Sequence, residues 1–273
     1  MSSAVRAFRL PGWAIGVVGV ALLVAVWWTV AALFFAPAPG SSYAAIHTPP
    51  QVLGAFVDDG IGYYWKAFAV TLNEAGIGYL WGNGLALVLS ALVLVLPWLE
   101  GVVTQLAVIT YCVPLVAIAP LALVILGGAQ KSGDPSATAV FLAALSVFFT
   151  TVVGTLLGLK AADAASLDVV SVYGGSKFTQ LRKVRAIAAL PSVLSALQIA
   201  VPAAFLGAIL GEYLGKIEIG VGPILVASAV SLNSPRVWAV FILCALVAIV
   251  GYTVLGLVAR AVTPWSTGKA ERA

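Results

Sequence analysis

Six stretches of this chain run almost without charge, and each is close to the length needed to cross a lipid bilayer. They cover residues 13–35, 76–96, 102–126, 137–159, 193–210 (extensible to 212) and 237–259. A helix needs about 20 mainly apolar residues to span the hydrocarbon core. A membrane β-barrel would show shorter segments of alternating polarity, whereas these windows are continuously apolar. Inside lipid each backbone group must be bonded within its own segment, so each window reads as a helix. Only 9% of the 273 residues are charged and 62% are hydrophobic, with a mean hydropathy of +1.10. Soluble domains carry about 25% charged residues. The expected fold is therefore all-α, a polytopic membrane protein with six transmembrane helices.

Charge placement orients the bundle. With the N-terminus inside, the cytoplasmic segments are 1–12, 97–101, 160–191 and 260–273. They hold Arg6, Arg9, Lys160, Lys177, Arg182, Lys183, Arg185, Arg260, Lys269 and Arg272, ten of the fourteen basic residues. The outer segments 36–75, 127–136 and 213–236 hold Lys66, Lys131, Lys216 and Arg236. Basic residues concentrate on the cytoplasmic side of membrane proteins, so both termini are expected there, in a plasma (inner) membrane. The expected organisation is a cytoplasmic N-terminus at 1–12, one transmembrane domain at 13–262 and a cytoplasmic tail at 263–273. Window 13–35 follows Arg6 and Arg9 but is longer than the 7–15-residue core of a signal peptide, so it reads as a retained span. The net charge of +4 follows from this asymmetry and does not call for nucleic acid.

The first outer segment is irregular around Pro37, Pro39, Gly40, Pro49 and Pro50. Residues 51–69 mix apolar side chains with Asp58, Asp59, Tyr63, Tyr64, Trp65 and Lys66. They read either as a helix lying at the membrane interface or as a loop with an aromatic anchor. Gly78-x-x-x-Gly82 leaves two positions without side chains on one helix face, which lets a neighbouring helix approach closely. Pro114 and Pro120 are expected to kink the third helix. Polar side chains that could line a pathway are few: Thr104, Gln105, Tyr111 and Gln198 are the candidates, with Pro114 at the kink. Thr110, Thr150 and Thr151 are further polar positions. Glu74 and Glu212 fall near outer helix ends. Glu212 has Lys216 four residues on as a helical partner and reads as structural or as part of an outer gate; Glu74 reads as interfacial, near Lys66.

Several chemistries have no residues to carry them. Gly211–Lys216 reads GEYLGK, which lacks the glycine spacing of a phosphate-binding loop. Cys112 and Cys244 are isolated in apolar windows, and the single histidine, His47, stands in a Pro-rich loop and reads as solvated. No metal set, nucleophile–base pair or dinucleotide fingerprint is present, so catalysis on this chain is not expected.

The segment 160–191, KAADAASLDVVSVYGGSKFTQLRKVRAIAALP, is the one long polar interruption in the second half. Its order is Asp168, then Gly174-Gly175, a basic helix and Leu190-Pro191. That order resembles the cytoplasmic coupling loop of ABC-importer permease subunits. Three further stretches resemble the same family in the same order: TPPQVLGAF at 48–56; Val113-Pro114 through Ala119-Pro120-Leu121; and Gly211-Glu212-Tyr213-Leu214-Gly215 followed by Gly220-Val221-Gly222. The chain is similar to the nitrate, sulfonate and taurine permeases within that family. The resemblance implies the type I ABC-importer permease fold with a cytoplasmic coupling helix. It implies cytoplasmic ATPase subunits carrying ATP and Mg, an extracytoplasmic solute-binding protein and a second permease copy, with no cofactor on this chain. Asp168, Val169, Val170, Tyr173, Gly174, Gly175, Leu190 and Pro191 would be the coupling residues, with Val172 completing an apolar docking face.

The chain departs from the family pattern at Asp168-Val169-Val170, where Glu-Ala-Ala is usual. Ile187 replaces a proline, and Glu74, beside Asn73, stands near a common arginine position. These departures bear on the solute more than on the architecture. A secondary transporter or channel, or the membrane component of another ATP-driven complex, is the alternative. The first would require intramembrane charged sites, which the windows scarcely offer.

Overall fold

The computed structural model describes residues 11–36, 44–215 and 217–267. In chain order the helices are α1 (Gly12–Phe34), α2 (Pro49–Asp59), α3 (Ile61–Val95), α4 (Leu99–Cys112), α5 (Leu115–Leu126) and α6 (Ala137–Lys160). Then come α7 (Ala164–Val172), α8 (Lys177–Gln180), α9 (Ala186–Leu214), α10 (Val221–Val230), α11 (Ser234–Val262) and α12 (Pro264–Thr267). A π turn over Leu181–Arg185 joins α8 to α9, with the Ala186 N–H bonded to the Leu181 carbonyl. No strand occurs among the described residues. Segments 1–10 and 268–273 of the two expected tails, with Arg6, Arg9, Lys269 and Arg272, lie outside the described residues, as does Lys216.

Five helical runs are long and apolar enough to cross a bilayer: α1, α3, α6, the continuous Lys177–Leu214 rod and α11. The sixth window corrects an expectation. In place of a kinked helix over 102–126, α4 and α5 meet at 98°. Proline disfavours the helical conformation in the residue before it, and Val113 has left the helix at φ −77°, ψ 123°. Pro120 stays inside α5 without breaking it. At 1.5 Å per residue, α4 and α5 reach about 21 and 18 Å, so neither crosses alone. Val103 and Ala107 of α4 pack near the end of the bundle that carries Lys160, labelled inner, with Val93, Val152 and Leu156. Ala119 and Ala122 of α5 pack near the opposite end, labelled outer, with Leu142. The pair is one crossing, broken part-way.

Two further boundaries move. The second span begins at Ile61, so Tyr63, Tyr64, Trp65 and Lys66 form its first turns. The surface helix is α2 alone, opened by a Thr48–Gln51 capping box and closed at Gly60, whose φ of +75° stops it. Outer segment 213–236 contains α10, whose Val221, Gly222, Ile224 and Ser228 are buried; it packs on α9, α3 and α11. Ten apolar residues are too few to cross a membrane and suit a re-entrant or buried element.

At the centre, α6 packs extensively on α9 and α3. Lipid is as apolar as leucine, so membrane helices associate through close packing rather than water exclusion. The sequence supplies three glycine pairs at i, i+4 spacing. Gly78 and Gly82 of α3 lie on α6, where a Cβ at Gly82 would come 2.5 Å from Val147 Cγ2. Gly154 and Gly158 of α6 receive Ala196 and Ser192 of α9, and Gly207 and Gly211 of α9 receive Ala143 and Ala139 of α6.

The outer end is clamped laterally. Arg236 at the start of α11 holds Asp59 at the end of α2 through its Nε at 2.7 Å and through a second bond from Nη2. The Tyr64 hydroxyl donates to the same carboxylate at 2.6 Å, and the Arg236 guanidinium lies over the Tyr63 ring. Ser234 donates to the Ala44 carbonyl and contacts His47 Nδ1 at 2.9 Å. His47 is therefore buried rather than solvated, and burial lowers its proton affinity.

Two predictions follow from this packing. Gly82→Ala should destabilise the detergent-solubilised protein by about 1–3 kcal/mol through overpacking. Gly84→Ala, where a Cβ meets nothing within 4 Å, should be neutral or stabilising by up to about 1 kcal/mol from helix propensity. Equal melting temperatures for the two variants would contradict the close approach of α3 and α6. The Asp59 clamp should be acid-labile. The bond from Arg236, helped by that from Tyr64, holds the Asp59 carboxyl below its usual range. A depressed native value gives stability that is complete above about pH 4, the unfolded value. It is lost as pH falls through the native one. Thermal unfolding followed from neutral pH to about pH 3 should show a smaller acid loss in Asp59→Asn than in the parent.

Candidate functional site

At the inner end, segment 160–191 folds as a hinged bracket. Asp163 caps α7, accepting from the Ser166 N–H at 3.3 Å, and short polar residues at this position satisfy free helical N–H groups. The helix closes on Gly174 at φ +75°, with Gly175 N–H bonded to the Val170 carbonyl at 2.8 Å. Left-handed backbone of this kind favours glycine. Gly175 is needed for a different reason: a Cβ there would lie 2.7 Å from the Val170 carbonyl oxygen. Ser176 then caps α8. Gln180 ties α8 back to α7, donating to Ser171 Oγ at 2.6 Å and to the Leu167 carbonyl.

No residue of α7 is buried. Val169, Val172 and Tyr173, spaced to share one helix face, are exposed, the last two by 84% and 88%. Asp168 is exposed beside them. Val170 does not belong to this face; it is half-buried against Gly175. Leu190 and Pro191 are not brought to α7 either. They lie in the first turns of α9, half-buried, above the π turn.

The expected pathway residues divide into two groups. Thr104, Gln105, Tyr111 and Pro114 lie on α4 and at its break, with Tyr111 stacked on Phe149 at 4.5 Å. Gln198 instead faces α11, donating to the Tyr252 carbonyl at 3.1 Å, in a cleft with Ser195 and Arg260. Thr151 donates to Asn83 in the interior. A cavity of about 1000 Å³ between α3, α4 and α6 is lined by Trp81, Phe141 and Phe148, with Thr110 as its polar contact.

The outer end holds what sequence reasoning missed. Glu74 and Glu212 are buried, at 0% and 1% exposure, and Glu74 Oε2 has no hydrogen-bond partner among the described residues. Glu74 is therefore not interfacial. Glu212 is held from α3 and α10: the Thr71 hydroxyl donates to it at 2.6 Å and the Gly222 N–H at 2.7 Å. Thr71 also accepts from the Val221 N–H, and the Ser136 N–H donates to Glu74 at 2.6 Å. Gly220 lies so near that a Cβ would come 2.5 Å from the Glu212 carboxyl carbon. Buried carboxyls need such donors. The signal was present in Gly220-x-Gly222, spacing that admits a side chain against backbone.

Helices that cross the membrane, one of them broken, with an exposed apolar bracket beyond one end and a pair of buried carboxyls near the other, fit a membrane permease. The chain belongs to the family of binding-protein-dependent transport system inner membrane components, whose model matches residues 78–267. An ABC transporter permease protein of Haemophilus influenzae is 30% identical over 77% of this chain and 80% of its own length. The formylaminopyrimidine transport permease protein of Halalkalibacterium halodurans is 27% identical, covering 89% of this chain and 93% of that one. A Bacillus subtilis aliphatic sulfonates transport permease protein is 25% identical, covering 93% and 88%. This chain is thus an ABC-importer permease for a small solute, a multi-pass membrane protein that works with ATPase and binding-protein partners.

Thr71→Val should remove the hydroxyl that bridges Glu212 to Val221 and leave buried groups unpaired, at a cost of about 1–3 kcal/mol. Thr71→Ser should retain most of the stability. Thermal unfolding of the two variants checks this, and equal losses would assign the role of Thr71 to its methyl group.

Proposed function

We propose that this chain is the non-catalytic, membrane-spanning half of an importer whose engine docks on α7. The observation that carries the reading is the exposed stripe of Val169, Val172 and Tyr173 on a helix fixed at both ends by caps and by Gln180. Water-exposed apolar residues presented on a rigid helix suit a partner's groove. Gly174 and Gly175 close that helix, Asp168 lies exposed beside the stripe, and Leu190 and Pro191 anchor its return into the membrane. The loop and both termini face the cytoplasm, a placement that the basic asymmetry supports, and the membrane is the plasma (inner) membrane. Residues 13–262 form one permease domain between the two terminal segments.

ATP and Mg belong to the ATPase, and this chain uses no cofactor or metal of its own. Two copies of the chain form the translocation path, with Thr104, Gln105, Tyr111 and Pro114 beside the broken crossing and Gln198 on the opposite side of α9. Glu212 belongs to the outer closure. A binding protein delivers the solute at that end. Relatives named for a formylaminopyrimidine and for aliphatic sulfonates support a small organic molecule as cargo.

The test is Val172→Asp with Tyr173→Asp. Both side chains are exposed, so the melting temperature should not change. Co-purification with the ATPase should weaken by about 10–100-fold, the effect of losing one to two buried apolar side chains at an interface, and transport should fail with it. Full ATPase retention in that variant would refute docking on α7.

A further inference from the structure

Behind the coupling bracket lies a cavity of about 540 Å³, bounded by the inner ends of α3, α4 and α6 and by α8 with its π turn. Its rim carries Lys160, Lys177 and Arg185, with Glu100 as the one carboxylate among its lining residues. Lys160 is paired with Glu100 at 2.5 Å. Arg185 spends one donor on the Leu159 carbonyl at 3.4 Å, which leaves most of its guanidinium free. The Lys177 ammonium has no ion-pair or hydrogen-bond partner among the described residues. The wall is apolar, with Val95 and Phe178 exposed on it over Val93 and Leu156, which belong to the packed interior between the spans.

Three cations against one carboxylate recognise a phosphate. An apolar wall that continues the membrane spans recognises an acyl chain. A soluble phosphoanion would match the rim and leave the wall wet, so one amphipathic molecule accounts for both halves. We propose that this cavity binds an anionic phospholipid, with its headgroup phosphate between Lys160, Lys177 and Arg185 and its chain along Val95 and Phe178. Basic pockets between helices at the cytoplasmic side suit such headgroups. The lipid would bridge the end of α6 to α8 and the π turn, and so brace the base of the bracket. The proposal rests on the cytoplasmic placement of segment 160–191 only for which leaflet supplies the lipid.

The experiment measures lipid retention by the full chain, purified in detergent and titrated with phosphatidylglycerol or phosphatidylcholine under native mass spectrometry. Each cation removed should weaken phosphatidylglycerol binding by about fivefold, so Lys160→Gln, Lys177→Gln and Arg185→Gln together should cost about 100-fold. Arg182→Gln with Lys183→Gln removes basic residues that do not line the cavity and should cost far less per charge. Glu100→Gln removes no cation, frees Lys160 and should tighten binding by about fivefold; it keeps the test decisive if the triple variant fails to fold. Equal losses per charge in the two basic sets, or equal binding of phosphatidylcholine, overturn the proposal. So does displacement of the lipid by an equal concentration of inorganic phosphate, which would assign the site to a soluble phosphoanion. The measurement needs no ATPase, so its failure leaves docking on α7 standing, and the α7 variants leave this cavity unchanged.

Discussion

Backbone-to-backbone proximity around α6 is the constraint on which the rest of this molecule depends. Within a bilayer there is no water to expel from between two helices, so their association relies on how many atoms come into contact. Gly78 and Gly82, Gly154 and Gly158, and Gly207 and Gly211 remove side chains where α3, α6 and α9 meet. The outer carboxyls follow from the same proximity. Thr71 can reach both Glu212 and the Val221 N–H only because α3, α9 and α10 stand this close. Tight helix contact thus supplies the donors that allow acidic residues into the interior.

The inner end is built by opposite means. Segment 160–191 has little core, and its shape comes from local hydrogen bonds: Asp163 and Ser176 as caps, Gly174 as the left-handed closure and Gln180 as the tie. A segment held this way keeps its shape without burying its apolar side chains. That leaves Val169, Val172 and Tyr173 unused by the fold and available to another protein.

The spans were legible because they depend on a one-dimensional property, apolar length. The turn at Gly174 in segment 160–191 was legible because turns are local in sequence. Pro114 announced a bend, but its 98° size depends on how α4 and α5 pack at opposite ends of α6, which no local signal carries. The burial of Glu74 was illegible for a similar reason. Its donor, Ser136, is 62 residues away, and nothing near position 74 reports it. Val170 was assigned to the docking face through the resemblance of 168–170 to the family loop; the return of the chain at Gly175 turned it inward. His47 looked like a loop residue because Ser234, which holds it, is 187 positions distant.

The unbroken run from Lys177 to Leu214 has a mechanical consequence. Its 38 residues extend about 57 Å, with the bracket at one extremity and Glu212 near the other. It packs on α6 from Ser192 and Ala196, against Gly158 and Gly154, to Gly207 and Gly211, against Ala143 and Ala139, so the two helices would tilt as one body. A tilt of about 5° would carry one extremity several ångströms relative to the other over that length. Inner and outer ends would then move in opposite senses without any change of internal shape, as a membrane gate with two alternating mouths requires.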